Sequence, residues 1–365
     1  MELKIGRKEF VEALETVSSV VSSRPTLPIL GNVLIEARKK EVVLTATDLE
    51  VGIVLAVEAQ VKGEGRLTIP AKKLLDVVRE MPGESIEAES DSASRLLLKS
   101  GAVDIKLLGL AADEFPALPE VKKDAEIKVA GATLARMIRK TMYAVSADET
   151  RYVLNGAYLV WEKHELKMVT TDGRRLAFIR APITATSGKG EAIVPAKALA
   201  ELTRLFAQGD REVTVTLGEG YARFSAGGAT LTTRLIDGNF PDYEQVIPKA
   251  QDKKVLVDTD LFLAGVKRSS IIAADRSSSV RLDVKKGVLT LTAASNELGE
   301  AREDVPITYN GDSLSVAYNA RFLMDVLKQV ESKEVQLELS TALAPGVLRP
   351  VGDDTYICVV MPIRI

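Results

Sequence analysis

The sequence repeats itself at an interval of 124 or 125 residues, and this repeat constrains the fold more than any other feature. IPAKKLLDVV recurs as VPAKALAELT, which puts Pro70 and Pro195 125 positions apart. TATDLE recurs as TTDGRR, with Asp48 and Asp172 124 positions apart, and DEFPALP recurs as GNFPDYEQVIP after 125. Three landmarks in one order and at one interval indicate an internal duplication.

A third, fainter copy closes the chain. YNARFLMDVL overlays IPAKKLLDVV at a shift of 249, and Asn296 lies 248 positions beyond Asp48. The final VVMPIRI takes the place of DEFPALP, with Pro362 as its proline. Chain ends are usually frayed and polar, so an apolar ending needs a partner. We predict that this tail is the last strand of the third repeat and that it also lines an apolar groove.

Each copy opens with a helical pattern. In RKEFVEALETVSSVVSSR, Phe10, Leu14 and Val17 step by four and three, the spacing of one helix face. In the third copy, Thr259 or Asp260 is a suitable helix cap. Runs of alternating residues such as EVTVTLGEGYARF follow, and they predict antiparallel strands joined by Gly-containing turns.

These patterns predict an α+β fold made of three tandem copies of one domain, each with two helices packed on antiparallel sheet. About 120 residues is a common domain size. The short charged linkers KKDAEIK and PKAQDKK place the boundaries near residues 124 and 251. The predicted domains are therefore 1–124, 125–251 and 252–365.

The composition argues against most catalytic and metal chemistry. The chain has one cysteine, Cys358, and one histidine, His164, too few for a site built from several of either or for an intrachain disulfide. His164 lies in the polar stretch EKHEL, which we expect at the surface. SGKGE lacks the upstream Gly and the Ser or Thr of a phosphate-binding loop. We predict no enzymatic activity, no cofactor and no metal.

The sequence also carries no targeting signal that we can identify. MELKIGRKEF has no apolar signal core, and no run approaches the length of a membrane span. A single cysteine fits a reducing compartment. We expect a cytoplasmic protein without a membrane partner.

Four motifs carry a family resemblance: RPTLPILGNVLIEA, TDGRRLA, GNFPDYEQVIP and VVMPIRI, in that order. With the threefold repeat, the chain resembles along its whole length the bacterial replicative sliding clamps, the beta subunits of DNA polymerase III. The resemblance implies a homodimer, joined head to tail into a six-domain ring that encircles duplex DNA and slides without sequence specificity. It implies a nucleoid-associated processivity factor of the DNA polymerase III holoenzyme in DNA replication. Polymerase, clamp-loader subunits and repair proteins would bind it through short linear motifs.

The net charge of −3 argues against simple electrostatic coating of DNA, whereas a ring needs basic groups only on its inner helices. The predicted helices carry such groups on their outward faces: Lys72, Arg79, Arg136, Arg139, Lys140, Lys197, Arg204, Lys267 and Arg321. They would meet phosphates without reading bases; alternatively, they form a solvated surface. The resemblance adds Arg24 and Arg151, on turns after the first two opening helices. Asp148, beside the second turn, departs from the family pattern.

The resemblance also implies a peptide-binding groove between the second and third repeats. Its residues by position are Leu154, Thr171, Gly173, Arg174, Arg175, Leu176, Pro241, Val246, Asn319, Phe322, Leu343, Val359, Val360, Met361, Pro362, Ile363, Arg364 and Ile365. Apolar groups and an adaptable Met suit a short apolar peptide, and Arg175 is placed to grip a peptide carbonyl or carboxylate. Leu176, Val359 and Val360 are alternatively ordinary strand core. Gln245 and Ser277 depart from the family pattern.

Ring closure would join the first repeat of one subunit to the third repeat of the other. The interface residues that the resemblance implies are Lys73, Ile105, Leu107, Ile271, Ile272, Glu300 and Glu303. A head-to-tail contact that closes produces a ring. Ile271 and Ile272 are alternatively buried within their own domain.

Two other function classes remain open. A protein-interaction scaffold built from the same repeats would bind peptides without being retained on DNA. A glycoside hydrolase would need a carboxylate pair such as Asp353 and Asp354, but adjacent strand residues point to opposite faces and do not converge on one substrate.

Overall fold

The structure is a computed structural model that describes residues 1–22, 24–206, 211–273 and 278–364. The chain divides into two compact units. The first unit comprises Met1–Ala135, Glu162–His164 and Ile183–Ile236, and the second comprises Arg136–Trp161, Glu165–Pro182 and the chain from Asp237 onward.

Across the described residues there are six α-helices, two in each predicted domain. They are α1 (Arg7–Ser18), α2 (Ala71–Glu80), α3 (Gly131–Thr141), α4 (Ala196–Phe206), α5 (Thr259–Ile272) and α6 (Ala320–Leu327). Short 3₁₀ helices span Pro28–Gly31, Ala112–Glu114, Met142–Ala144, Glu149–Leu154 and Tyr243–Gln245. The helical face predicted from Phe10, Leu14 and Val17 is confirmed, because all three side chains lie on the buried face of α1.

The strands account for most of the remaining chain. They are β1 (Glu2–Gly6), β2 (Asn32–Arg38), β3 (Glu41–Thr47), β4 (Val51–Glu58), β5 (Gln60–Gly63), β6 (Gly65–Pro70), β7 (Ser85–Ser90), β8 (Arg95–Ser100), β9 (Val103–Leu108), β10 (Ala125–Ala130), β11 (Gly156–Glu162), β12 (Glu165–Thr171), β13 (Arg175–Pro182), β14 (Ala185–Ser187), β15 (Gly190–Pro195), β16 (Glu212–Gly218), β17 (Tyr221–Ala226), β18 (Ala229–Arg234), β19 (Lys253–Asp258), β20 (Ser279–Lys285), β21 (Val288–Ser295), β22 (Gly299–Thr308), β23 (Leu314–Asn319), β24 (Glu334–Leu339), β25 (Gly346–Pro350) and β26 (Tyr356–Val360).

Antiparallel sheets organise each unit. In the first unit, one sheet has the order β5-β1-β7-β8-β9 and another has the order β14-β10-β16-β17-β18-β4-β3-β2-β6. In the second unit, a sheet runs β11-β12-β13-β26-β25-β24-β19-β22-β21-β20-β23. The predicted combination of paired helices with antiparallel sheet in an α+β fold is confirmed.

The same strand pairing joins successive repeats. Within the first unit, β4 pairs with β18, with Val51 opposite Thr233. Within the second unit, β13 pairs with β26, with Arg175 opposite Val360. Arg175 lies 124 positions after Val51, so the two junctions use equivalent strands. Each junction continues one sheet from one repeat into the next.

A Thr-Asp turn precedes each of these junction strands. The Asp48 carboxylate accepts hydrogen bonds from the backbone N–H groups of Glu50 and Val51, at 3.0 and 2.8 Å. The Asp172 carboxylate accepts the equivalent bonds from Arg174 and Arg175, at 2.9 and 3.0 Å. The residue after each aspartate has a positive φ, 77° at Leu49 and 82° at Gly173. The duplication therefore preserves the geometry of the turn as well as its sequence.

The C-terminal strand is shorter than predicted. β26 ends at Val360, so only two residues of VVMPIRI belong to it. Pro362 has no N–H to continue a strand ladder, and its neighbours form single bonds instead. Met361 N–H donates to the Arg174 carbonyl, and Ile363 N–H donates to the Ala317 carbonyl, both at 2.8 Å.

The cap of α5 also differs from the prediction. Asp258, rather than Thr259 or Asp260, is the N-cap, and its carboxylate accepts from Leu261 N–H at 3.0 Å. The Thr259 hydroxyl instead donates to the Ser332 carbonyl at 2.9 Å. That tertiary bond draws Thr259 into the first helical turn and moves the cap back by one residue.

Replacing Asp258 by Ala should lower the free energy of unfolding by about 1 kcal/mol, because the Leu261 N–H loses its acceptor. Chemical denaturation followed by circular dichroism measures the change. Asp260→Ala is the matched control, since Asp260 is an exposed first-turn residue of the same helix. An equal loss in both variants would contradict the assignment of Asp258 as the cap.

Candidate functional site

The predicted groove residues all belong to the second unit. Thr171 ends β12, and Gly173 and Arg174 form the turn to β13. Leu154 ends the 3₁₀ helix Glu149–Leu154. On the other side, Asn319 caps α6 by accepting from the N–H groups at positions 321 and 322.

The tail is fixed to both of these regions. Its bonds from Met361 to the β12–β13 turn and from Ile363 to β23 hold the chain beyond β26. Met361 remains 39% exposed, whereas Pro362 and Ile363 are half-buried and Arg364 is exposed. Ile365, also predicted for the groove, lies outside the described residues. A tethered but accessible apolar tail is what a peptide-binding edge requires.

Exposure separates the predicted set into two classes. Leu343 and Val246 are 64% and 40% exposed, and Pro241 is also exposed. In contrast, the strand residues Leu176 and Val359 are each 1% exposed. Buried side chains stabilise the sheet and offer little to a ligand. The strand residues Leu176, Val359 and Val360 therefore behave as core, and Leu154 of the 3₁₀ helix is buried as well.

An aromatic cluster covers that core. Phe240 and Tyr243 pack against a cluster that includes Leu176 and Val359. Tyr158 stacks on Phe240 with ring centroids 5.1 Å apart, and Tyr243 lies 5.9 Å from the Phe178 ring. The aromatic residues of GNFPDYEQVIP were a usable sequence signal for this cluster. Gln245 donates to Asp242 at 2.8 Å, and Ser277 is outside the described residues.

Arg175 is held by the chain's own carboxylates. Its side chain is 9% exposed, with Nε donating to Asp172 at 3.0 Å and Nη1 donating to Asp325 at 2.6 Å. The guanidinium also lies 4.6 Å from the Phe322 ring centroid and 5.3 Å from that of Tyr143. Arg175 therefore ties the β12–β13 turn to α6 and orients Phe322. Gripping a ligand carboxylate would compete with both of these ion pairs.

Asp325 is a site residue that the sequence did not reveal. It lies 150 positions from Arg175, and no local spacing connects the two. A carboxylate in the otherwise apolar stretch FLMDVL was the available signal. Asp325 and Arg175 balance each other's charge near the core, so replacing either one removes an ion-pair partner from the other.

Hydroxyl groups and the single thiol form a buried polar layer beside Arg175. Tyr143 donates to the Cys358 sulfur at 3.1 Å, and Tyr356 donates to the Lys140 carbonyl at 2.8 Å. Burial raises the pKa of the Cys358 thiol to about 11. A thiol that stays protonated at neutral pH is a poor nucleophile, so Cys358 acts as a packing residue.

Most of the predicted DNA-contact residues are on the surface. The exposed ones are Arg24, Lys72, Arg79, Arg139, Arg151, Lys197, Arg204, Lys267 and Arg321. Arg136 is half-buried. Asp148, the departure from the family pattern, pairs with Arg151 at 3.0 Å, and hydrogen bonds from Thr150 and Arg151 hold its pKa below the ordinary value.

The prediction that Lys140 points outward is wrong. Lys140 is 2% exposed; its Nζ donates to the Gln329 carbonyl at 2.6 Å and pairs with Glu331 at 3.1 Å. The same ammonium lies 5.1 Å from the Tyr356 ring centroid. The residues after α6 cover this turn of α3, which the periodicity of α3 alone does not reveal.

The predicted interface residues occupy two surfaces. Ile105 and Leu107 are half-buried on β9, and Lys73 is exposed. Ile271 is 67% exposed at the end of α5, which argues against burial within its own domain; Ile272 is half-buried and Glu300 is exposed.

Glu303 is already paired within the second unit. Arg268 Nε donates to its carboxylate at 2.8 Å, and this bond holds the pKa of Glu303 below its usual value. The resemblance implies that Lys73 meets Glu300 or Glu303 across the interface, and of these two Glu303 already has an ion-pair partner in its own unit.

The other predicted absences concern catalysis and membranes. Over the described ranges, no group of three or more His, Cys, Asp and Glu side chains is placed to hold a metal. None of the helices described is both long and apolar enough to span a membrane. His164 is exposed in the turn between β11 and β12. Asp353 and Asp354 pair with different arginines, Arg136 and Arg180.

Replacing Asp325 by Asn should destabilise the protein by about 3 kcal/mol, because it removes one partner of a largely buried ion pair. A lower denaturant midpoint measures the loss. Asp354→Asn is the matched control in the same unit, since Asp354 is 88% exposed in its pair with Arg180. Equal midpoints for the two variants would contradict the role of the Arg175–Asp325 pair.

Comparison with protein-family models matches the chain to three domains of the DNA polymerase III beta subunit. The N-terminal domain model matches residues 1–119, the central domain model matches residues 128–242, and the C-terminal domain model matches residues 244–364. Together these three models span nearly the entire sequence.

Known proteins show the same likeness along their full length. A beta sliding clamp of Pseudomonas putida is 34% identical over 368 residues, covering 100% of both chains. The structure of a Pseudomonas aeruginosa sliding clamp bound to griselimycin superimposes with a TM-score of 0.97 at 34% identity, and that of a C. crescentus beta sliding clamp with 0.94 at 36%. Both cover 100% of this chain and of their own. The chain therefore belongs to the family of bacterial beta sliding clamps, the beta subunits of DNA polymerase III.

Proposed function

We propose that this chain is a DNA polymerase processivity factor that acts as a homodimeric ring around duplex DNA. The observation that carries the proposal is the repeated junction, in which β4 pairs with β18 and β13 pairs with β26. Because both junctions pair equivalent strands, the third repeat of one chain and the first repeat of another can be joined in the same way. The repeats that we propose to be joined in this way are the three predicted domains, 1–124, 125–251 and 252–365.

The repeat supplies the geometry of ring closure. Shifting the β13–β26 pair by one more repeat leads to β22 in the third repeat and to β9 in the first repeat of a second subunit. Among the described strands, β9 pairs only with β8, so its outer edge has unused backbone groups. An edge strand of this kind is a template for another chain. In the same register, Glu300 of one subunit would lie opposite Leu107 of the other, which brings together two of the seven predicted interface residues.

Duplex DNA would be held by contacts that recognise phosphate. Exposed cations such as Lys72, Arg139 and Arg321 lie on or at the start of three different helices. Phosphate contacts carry no sequence information and weaken with salt. Retention then comes from the closed ring, and the weak contacts leave it free to slide.

Partner proteins would bind the accessible apolar residues of the second unit. Leu343, Val246 and Met361 are exposed in that unit, and Met361 N–H donates to the Arg174 carbonyl in the β12–β13 turn. Short motifs of the replicative polymerase, clamp-loader subunits and repair proteins are the proposed ligands. Tethering raises the effective concentration of polymerase at its template, so polymerase rebinds before it diffuses away. In this role the chain performs no catalysis, needs no cofactor and works at the nucleoid in the cytoplasm.

A test of encirclement uses DNA topology. Protein loaded onto nicked circular plasmid should remain bound through gel filtration and should dissociate once a restriction enzyme linearises the plasmid. A ring leaves through free ends, whereas electrostatic binding does not depend on them. Equal retention on circular and linear DNA would contradict the ring, and no retention on either would favour the DNA-free scaffold.

A second test addresses the groove. Deleting residues 361–365 should weaken binding of a polymerase-derived peptide by about tenfold or more, because clustered apolar contacts dominate such interfaces. Fluorescence anisotropy measures the affinity. Met361→Ala should weaken binding in the same direction, whereas Val351→Ala should not, although Val351 is 43% exposed and apolar. Unchanged affinity in the deletion variant would remove the groove assignment.

A further inference from the structure

Many of the Lys and Arg side chains predicted to contact DNA already form ion pairs with carboxylates of the same chain. Lys140 is buried, and five of the other ten predicted residues form ion pairs with Asp or Glu of the same unit: Arg79, Arg136, Arg151, Lys197 and Arg204. A phosphate that approaches one of these cations meets a competitor already in place.

The best-formed pair joins Arg136 to Asp353. Arg136 Nη2 donates to Asp353 Oδ2 at 2.7 Å, and the two side chains are 34% and 23% exposed. The Asp353 carboxylate is also fixed through its other oxygen, which accepts hydrogen bonds from the Thr355 N–H and the Thr355 hydroxyl. Glu331 approaches the same guanidinium at 3.9 Å. Arg136 is thus fixed between two carboxylates.

The charge of Asp353 persists at neutral pH. Burial alone would raise its pKa, but hydrogen bonds from Thr355 and Arg136 outweigh burial and hold the pKa below the ordinary value. The competitor is therefore ionised under the conditions in which DNA binds.

The first repeat has an equivalent arrangement on different elements. Arg79, in the last turn of α2, pairs with Glu15 of α1 at 2.7 Å, and each side chain is 47% exposed.

Two further pairs involve cations of α4 in the second repeat. Glu201, the partner of Arg204, is 8% exposed, and Asp48, the partner of Lys197, is 11% exposed. The surrounding side chains pack closely around Glu201 and Asp48, so these two carboxylates have little room to move away from their cations.

We propose that these carboxylates are built-in competitors of DNA phosphate that weaken each contact with the duplex and thereby ease sliding. Each paired cation must exchange one anion for another, so it gains less from a phosphate than a free cation would. The exchange also lets successive phosphates replace one another along the duplex. This inference rests on the proposed function, because it concerns the same DNA-facing residues.

The test compares the full-length dimer with variants that release one cation. In fluorescence anisotropy with a short labelled duplex at low salt, Asp353→Asn should bind about threefold more tightly than the wild type, a gain the size of one exposed ion pair. The amide oxygen retains an acceptor for Thr355. Adding Arg136→Ala to Asp353→Asn should abolish the gain, since no cation is then released.

The neighbouring Asp354→Asn is the matched control. It removes the same charge, but its partner Arg180 is not a predicted DNA contact, so its affinity should match the wild type. On α1, Glu15→Gln should increase affinity, whereas Glu12→Gln should not, because Glu12 pairs with Lys8 outside the predicted set. Circular dichroism verifies that each variant is folded.

Two results would overturn the inference while leaving DNA binding in place. One is an equal gain in Asp353→Asn and Asp354→Asn, which would mean that only net charge matters. The other is no gain in either Asp353→Asn or Glu15→Gln. A wild-type protein that binds no duplex at low salt and is not retained on circular plasmid would instead refute the proposed function, and this inference with it.

Discussion

Backbone pairing between successive repeats is the interaction on which the rest of the structure depends. At each junction an edge strand of one repeat completes the sheet of the previous one, so that N–H and C=O groups that water would otherwise solvate are satisfied within the chain. Val51 opposite Thr233 and Arg175 opposite Val360 are two instances of one register. Side-chain packing on the two faces of the sheet then fixes which residues lie opposite one another.

The candidate groove follows from the second junction. Because β26 pairs with β13, the tail leaves the sheet beside the β12–β13 turn, and Met361 bonds to Arg174 there. The ion pair between Arg175 and Asp325 connects this turn to α6. Met361 and the β12–β13 turn are therefore held by main-chain pairing and a mostly buried salt bridge. A peptide that bound there, as we propose, would lose little entropy in ordering the site.

Features that repeat or alternate could be predicted from the sequence, and features that depend on distant side chains could not. The interval between Asp48 and Asp172 predicted equivalent turns, and their hydrogen bonds agree. The helical face of α1 followed from local spacing. In contrast, Lys140 is buried by residues from another repeat, and no pattern within α3 encodes that contact.

The same limit applies to capping and to the groove. A hydroxyl bond to Ser332 moved the cap of α5 to Asp258, and Arg175 met a carboxylate far along the sequence. The family resemblance implied a set of groove residues by position, but it did not establish that Leu176 is buried and Leu343 exposed. That distinction requires burial, which only the three-dimensional arrangement supplies.

Ring closure depends on the outer edge of β9, which pairs with no other described strand, finding a partner strand in a second subunit. Multi-angle light scattering on the purified protein measures this most directly, over a range of concentrations that extends down to dilute solution. A closed dimer predicts a mass twice the 39.4 kDa of one chain, unchanged on dilution. A mass of one chain throughout would contradict the account, because a single subunit has no second copy with which to close around DNA.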